Sequence, residues 1–141
     1  MKLEIAQKIV AAALASGRSH GFKPLGVAVL DARGALKAFA AEDGTSLRRA
    51  EIATGKAHGA LAMGLGSRTI GKMAAERPHF VAAVTHAVGG SLIPVPGGVL
   101  VRDSAGAVIG AVGVTGDTSD NDEVAAVAGI TAAGLKADPG A

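Results

Sequence analysis

The chain contains no cysteine, no tryptophan and no tyrosine among its 141 residues. Without cysteine there is no disulfide framework, no thiolate metal site and no cysteine nucleophile. Aromatic residues make up only 2% of the chain, which leaves no stacking platform for bases or sugars. Long apolar runs are missing too, since nothing approaches the roughly 18 consecutive apolar residues that cross a bilayer. At the N-terminus Glu4 and Lys8 interrupt the apolar pattern, unlike the continuous core of a secretory signal. The expectation is a soluble cytoplasmic protein with no membrane partner. The 14 basic residues give a net charge of only +2 and are scattered, with Arg48-Arg49 the one adjacent pair. A nucleic-acid binder gathers its cations into a patch or stripe, so no nucleic-acid partner is expected.

Common catalytic signatures are absent as well. Ser67 and Ser91 lack the G-x-S-x-G context of a hydrolase nucleophile, and no G-x-x-x-x-G-K-[ST] phosphate loop occurs. The four histidines, His20, His58, His79 and His86, show neither H-x-x-x-H nor HExxH spacing, so no zinc site is expected.

What is present is aliphatic: 49% of the residues are hydrophobic and 21 are glycine. Alanine, valine, leucine and isoleucine must fill the core, and the length suits one domain spanning residues 1–141. Ala6, Ile9, Val10, Ala13 and Leu14 recur at helical spacing, predicting an amphipathic helix that stops near Gly17. Leu25 to Leu30 and Ala35 to Ala41 read as strands around the turn Asp31-Ala32-Arg33-Gly34. Ser46 is placed to cap a helix running to about Gly64. Gly55 and Gly59 each cost that helix about 1 kcal/mol, which implies close approach of another backbone. Ser67 to Phe80 predicts a short helix broken at Pro78, and Val81 to Val88 a further helical turn or two. Pro94 to Gly98 is a connecting segment, because proline cannot donate to a central ladder.

Val99 to Arg102 and Ala107 to Val114 then form a second hairpin around Asp103 to Gly106. It echoes the first, since both read G-V-x-V-x-D-x-x-G. Ser119 and Asp122 stand in capping-box spacing before a last helix, and Lys136 to Ala141 reads as a frayed tail. Two hairpins with helices between and after them give an α+β two-layer domain.

Few residues are placed for chemistry. The Gly97-Gly98 pair could leave backbone amides free for a carboxylate, propionate or phosphate, or be an ordinary turn. Thr115, Gly116 and Asp117 lie where a strand ends and are ligand candidates. Asp117, Asp120, Asp122 and Glu123 fit no EF-hand spacing, and acids in a first helical turn suit the helix dipole. No calcium site is expected there. Lys56 is either a pocket cation or a solvated helix lysine. His58 falls at helical spacing with Thr54, Leu61 and Leu65, His79 follows Pro78, and His86 lies in an apolar run.

Four stretches carry a family resemblance: V-L-D-A-R-G (Val29 to Gly34), G-K-A (Gly55 to Ala57), P-G-G-V (Pro96 to Val99) and V-I-G-A-V-G-V-T-G-D-T-S-D-N-D-E (Val108 to Glu123). Over nearly its whole length the chain resembles the GlcG/HbpS family of heme-binding-like proteins, which includes the C-terminal domain of PduO-type proteins. The resemblance implies a profilin-like α+β fold, an antiparallel sheet of about five strands flanked by helices, and homo-oligomers. The family-matching positions are Asp31, Gly34, Lys56, Gly97, Gly98, Gly113, Thr115, Gly116 and Asp122. Thr115 replaces a serine common in the family, and Val99 stands where some heme-binding members have threonine.

Two functional readings follow. One is a homo-oligomeric binding protein for heme or a similar tetrapyrrole, with a seat near Gly97, Gly98 and Thr115 and an iron ligand among His58, His79 and His86. The other is a small enzyme or accessory protein of a catabolic pathway acting on an organic acid. There Lys56 and the Gly97-Gly98 amides would hold the carboxylate, with Asp117 or a histidine as general base.

Overall fold

The computed structural model of the chain describes residues 1–141. Helix α1 spans Leu3–Ser19, followed by strands β1 (Gly26–Asp31) and β2 (Leu36–Ala41). Helices α2 (Arg49–Met63), α3 (Ser67–Glu76) and α4 (Pro78–Ala87) come next. Strands β3 (Gly98–Arg102) and β4 (Val108–Thr115), helix α5 (Ser119–Ala132) and strand β5 (Lys136–Asp138) complete the chain. The five strands form one sheet in the order β2-β1-β4-β3-β5, and every neighbouring pair is antiparallel. The α+β class and the five-stranded antiparallel sheet flanked by helices are as expected.

The layering is a refinement, because helices cover both faces of the sheet. Side chains alternate across a strand, so β1, β3 and β4 present two different surfaces. Val27, Val29, Val99, Val101, Val112 and Val114 pack with Ile9, Ala13, Ala126 and Ile130 of α1 and α5. Leu30, Leu100 and Ala111 pack with Ala57 and Ala60 of α2 on the opposite face. Burial from both sides is why the interior strand β1 is apolar without alternation, every residue from Gly26 to Asp31 being buried.

The two hairpin turns share the same aspartate-to-backbone bonds. In the first, Asp31 Oδ1 accepts the amides of Arg33 (2.9 Å) and Ala35 (3.1 Å). In the second, Asp103 Oδ1 accepts those of Ala105 (3.0 Å) and Ala107 (2.9 Å). Each turn closes on a glycine in the left-handed region, Gly34 at φ 85° and Gly106 at φ 88°. An aspartate satisfying backbone amides two and four residues on is the local chemistry the repeated motif encodes.

Helix breaks also follow expectation. Pro78 opens α4 at its first turn, where a missing N–H costs nothing. On α2, a Cβ at Gly55 would come within 2.7 Å of Ile93 Cγ1, and one at Gly59 within 2.9 Å of Leu92 Cγ. The Leu92-Ile93 segment is therefore the close neighbour those glycines admit.

Three local expectations are corrected. Ser46 does not cap α2, which begins at Arg49; its hydroxyl instead accepts Arg49 Nε at 2.8 Å. Thr118, not Ser119, caps α5, accepting the Asn121 amide at 3.2 Å. The tail is not frayed: Lys136–Asp138 pairs with β3, and Arg102 Nε donates to Asp138 at 2.9 Å. A three-residue strand is too short to leave a periodic signal of its own.

Candidate functional site

Lys56 lies on the face of α2 that meets the sheet, in line with Ala53, Ala57 and Ala60, all buried. Its side chain runs past the start of β3 toward the start of α5. There Nζ donates to Val114 O at 2.9 Å and to Asp122 Oδ2 at 3.0 Å. Both side chains are only 2% exposed. Asp122 Oδ1 accepts the Asp117 amide at 2.9 Å, so the carboxylate is satisfied on both oxygens. Burial pushes the Lys56 amine below its ordinary range and the Asp122 carboxyl above its own, each opposed by the charge of the other. This ion pair joins α2 to α5, helices on opposite faces of the sheet, around the end of β4.

The glycine pair makes room for it. A Cβ at Gly97, whose φ is 118°, would come within 2.9 Å of Lys56 Nζ and 2.7 Å of Val114 O. At Gly98 a Cβ would collide with the Lys56 carbonyl. The expectation of free amides is corrected at Gly98, whose N–H donates to the buried Ser67 hydroxyl at 2.7 Å. The glycines serve close packing of the sheet end against α2 and α3.

Thr115 is buried, and its hydroxyl accepts Arg49 Nη1 at 2.8 Å. Gly116 is at φ 143°, and a Cβ there would strike the Pro24 carbonyl. Asp117 accepts the Lys23 amide at 2.7 Å, and its other oxygen accepts the Thr118 amide and Asn121 Nδ2, both at 2.8 Å. These bonds, the Lys23 amide foremost, hold its pKa down at about 2. A carboxylate stabilised so far below neutrality is a weak proton acceptor. Asp117 ties the loop before β1 to the start of α5.

The structure thus brings together Lys56, Gly97, Gly98 and Thr115 around the end of the sheet, with Asp117 joined through its amide. Lys56, Asp117 and the Gly98 amide are each already engaged by another group of the chain. None of the four surface depressions is lined by Lys56 or Asp122. The remaining acids are equally committed: Arg68 pairs with Asp120 and, at 3.0 Å, with Glu123.

The residues not singled out as ligand candidates are Asp122, Ser67 and Arg49. A signal for the first was available. Asp122 stands in the helical series Ala125, Ala126, Gly129 and Ile130, all buried, just as Lys56 stands among the buried alanines of α2. Opposite charges among the small apolar residues of two helices are compatible with a buried pair but do not by themselves select it.

The histidines lie apart from this cluster. His58 Nδ1 is bonded to Ser91 O at 2.7 Å. His79 and His86 are exposed on α4 and, seven residues apart, share one side of that helix with exposed Ala82 and Ala83.

Residues 1–131 match the family described as "Haem degrading protein HbpS-like". The chain belongs to this HbpS-like family. No curated protein sequence matches it. Among solved structures, HbpS is 28% identical with TM-score 0.79, covering 93% of this chain and 88% of that one. The Klebsiella pneumoniae protein ORFY is 23% identical with TM-score 0.84, covering 95% and 90%. PduOC, solved as a heme complex, is 20% identical with TM-score 0.84, covering 96% of each chain. The last two likenesses concern the fold alone.

Proposed function

We propose that this HbpS-like protein binds heme or a similar tetrapyrrole and does so as a soluble, cytoplasmic homo-oligomer. The observation that carries the reading is family membership across residues 1–131 in a chain that presents accessible imidazoles. His79 and His86 suit an iron-bound macrocycle in donor type, since neutral imidazole is a common axial ligand of heme. Ala82 and Ala83, exposed between them, leave a low apolar surface on which a planar ring can lie. His58 is the weaker candidate, because its Nδ1 is already held by Ser91. Heme, when bound, would supply a redox-active iron; His79 and His86 would offer a ligand to it, and Ala82 and Ala83 an apolar bed. A single helix face covers one side of a macrocycle only, so the second side falls to another copy.

Titration with hemin tests this. The expected result is a saturable Soret shift at one site per subunit, weakened by His79→Ala or His86→Ala and unchanged by His58→Ala. Scattered, unsaturable binding in the unmodified protein would sink the reading. The organic-acid alternative draws little support from Lys56, whose charge is committed to Asp122.

A further inference from the structure

Polar fastening is uneven between α3 and β3. Helix α3 is tied down at its N-terminal end. Ser67 Oγ accepts the Gly98 amide at 2.7 Å, the Arg68 amide donates to Pro139 O at 3.3 Å, and Arg68 Nε meets Glu123 at 3.0 Å. The segment after α4 is tied to α2, since Ser91 O is bonded to His58 Nδ1 at 2.7 Å and the Ile93 amide donates to Gly55 O at 3.3 Å. Helix α4 lies between these two anchorages and has none of its own. Its backbone bonds reach no further than Arg77 and Gly90, and its one side-chain bond runs from Thr85 Oγ1 to its own Val81 O at 2.7 Å. The Arg77 guanidinium over the Phe80 ring is equally local. No ion pair involves α4.

What holds α4 is a small apolar cluster separate from the main core. Val81, its single buried residue, clusters with Ile70 of α3 and with Leu92, and Phe80 and Val84 pack around them. Both ends of α4 are free to turn. Arg77, between α3 and α4, is at φ −137° and ψ 65°, outside the helical region, and caps neither helix with its side chain. Gly89 and Gly90 follow α4 at φ 81° and φ 89°, and a Cβ on either would meet nothing within 4 Å. These two glycines answer to backbone conformation. Gly55 and Gly59, by contrast, answer to close packing against Ile93 and Leu92.

We propose that α4 is a hinged cover. It swings from α3 as a unit about Arg77 and Gly89-Gly90, uncovering the apolar seat of Ile70 and Leu92 while the sheet and the other helices stay folded. The free energy of such an opening is set by the contacts it breaks. Here those are a few apolar side chains of one small cluster, with no polar bond among them. Leu92 stays behind, because its neighbours Ser91 and Ile93 are fastened to α2. The helix that moves is the one that bears His79 and His86, so opening carries both imidazoles away from the body of the domain. The proposal does not depend on the heme reading, and its test contains no ligand.

The chain has no cysteine, so one introduced thiol reports on one place. Ile70, beneath α4, and Ile130, in the main core, are both fully buried, and Ile70→Cys and Ile130→Cys remove the same side chain from each. With an aromatic disulfide reagent, Ile70→Cys should be labelled about 100-fold faster than Ile130→Cys once each rate is referred to that variant's own urea stability. Its rate should also rise only weakly with urea, whereas that of Ile130→Cys should follow global unfolding. Leu92→Cys is a second probe of the same seat, should Ile70→Cys not fold. In the unmodified protein, the amides of Val81 to Ala87 should exchange with deuterium about tenfold or more faster than those of the interior of α2. Val81→Ala should hasten the α4 amides alone. Equal labelling rates with the same urea slope overturn the proposal, as do α4 amides as slow as those of α2. Fast α4 exchange with the seat thiols labelled no faster than Ile130→Cys also overturns it, because α4 then frays in place without uncovering anything.

Discussion

The two faces of the sheet are built on opposite plans. Toward α1 and α5 the strands present six valines, and the helices answer with Ile9 and Ile130. Toward α2 the same strands present Ala28, Leu30, Gly98, Leu100, Ala111 and Gly113. There the helix approaches until a Cβ at Gly113 would overlap the Ala53 carbonyl. The first face is stabilised by filled volume; the second by nearness of backbone to backbone, with one buried ion pair at its end. Close approach is what lets Lys56 reach past the sheet to Asp122. The two faces should therefore fail under opposite substitutions.

The largest effect is expected from adding volume to the α2 face. Gly113→Val, the residue type that fills the other face, should abolish the cooperative thermal transition followed by circular dichroism. No side-chain adjustment relieves a clash between Cβ and a helix carbonyl. Next comes the ion pair. Lys56→Met or Asp122→Leu alone should each cost about 3–5 kcal/mol in urea unfolding, because an unpartnered charge is left buried. The double variant should regain most of that loss; if both single variants unfold like the unmodified protein, the pair is not what fastens α2 to α5.

Removing volume from the valine face should be gentler. Ile9→Val or Ile130→Val should cost about 0.5–1.5 kcal/mol through a small cavity. The smallest effect concerns acid. Asp117 has its pKa lowered from 3.8 to about 2, so its bonds add stability that is complete above the unfolded value. That contribution disappears as pH falls through about 2. Asp117→Asn should lower the melting temperature slightly at pH 5 and flatten its decline between pH 4 and pH 2. An unchanged acid slope would mean that other carboxylates set it.

Legibility in the sequence divided along the same line as the energetics. The turns at Asp31 and Asp103, the helix break at Pro78 and the tolerance of Gly55 and Gly59 could be read directly. Each depends on partners a few residues away or on a backbone preference. Ser46 and Ser119 misled because several neighbouring hydroxyls can cap a helix, and only the path of the incoming chain selects one. The tail's pairing with β3 was invisible, since three residues carry no period.

What the sequence by itself determined is local: two aspartate-closed hairpins, an amphipathic first helix and the breaks between the later ones, whereas cover on both faces of the sheet emerged only in the fold. Tertiary structure alone decided the fate of Lys56 and Asp122, which lie 66 residues apart. A charge on a helix face can be solvated, can bind a ligand or can be sealed against a counter-charge, and each reading is compatible with its neighbours in sequence. The choice was made by glycines at 97, 98 and 113. They draw α2 onto the sheet closely enough for the lysine to leave water and meet the aspartate.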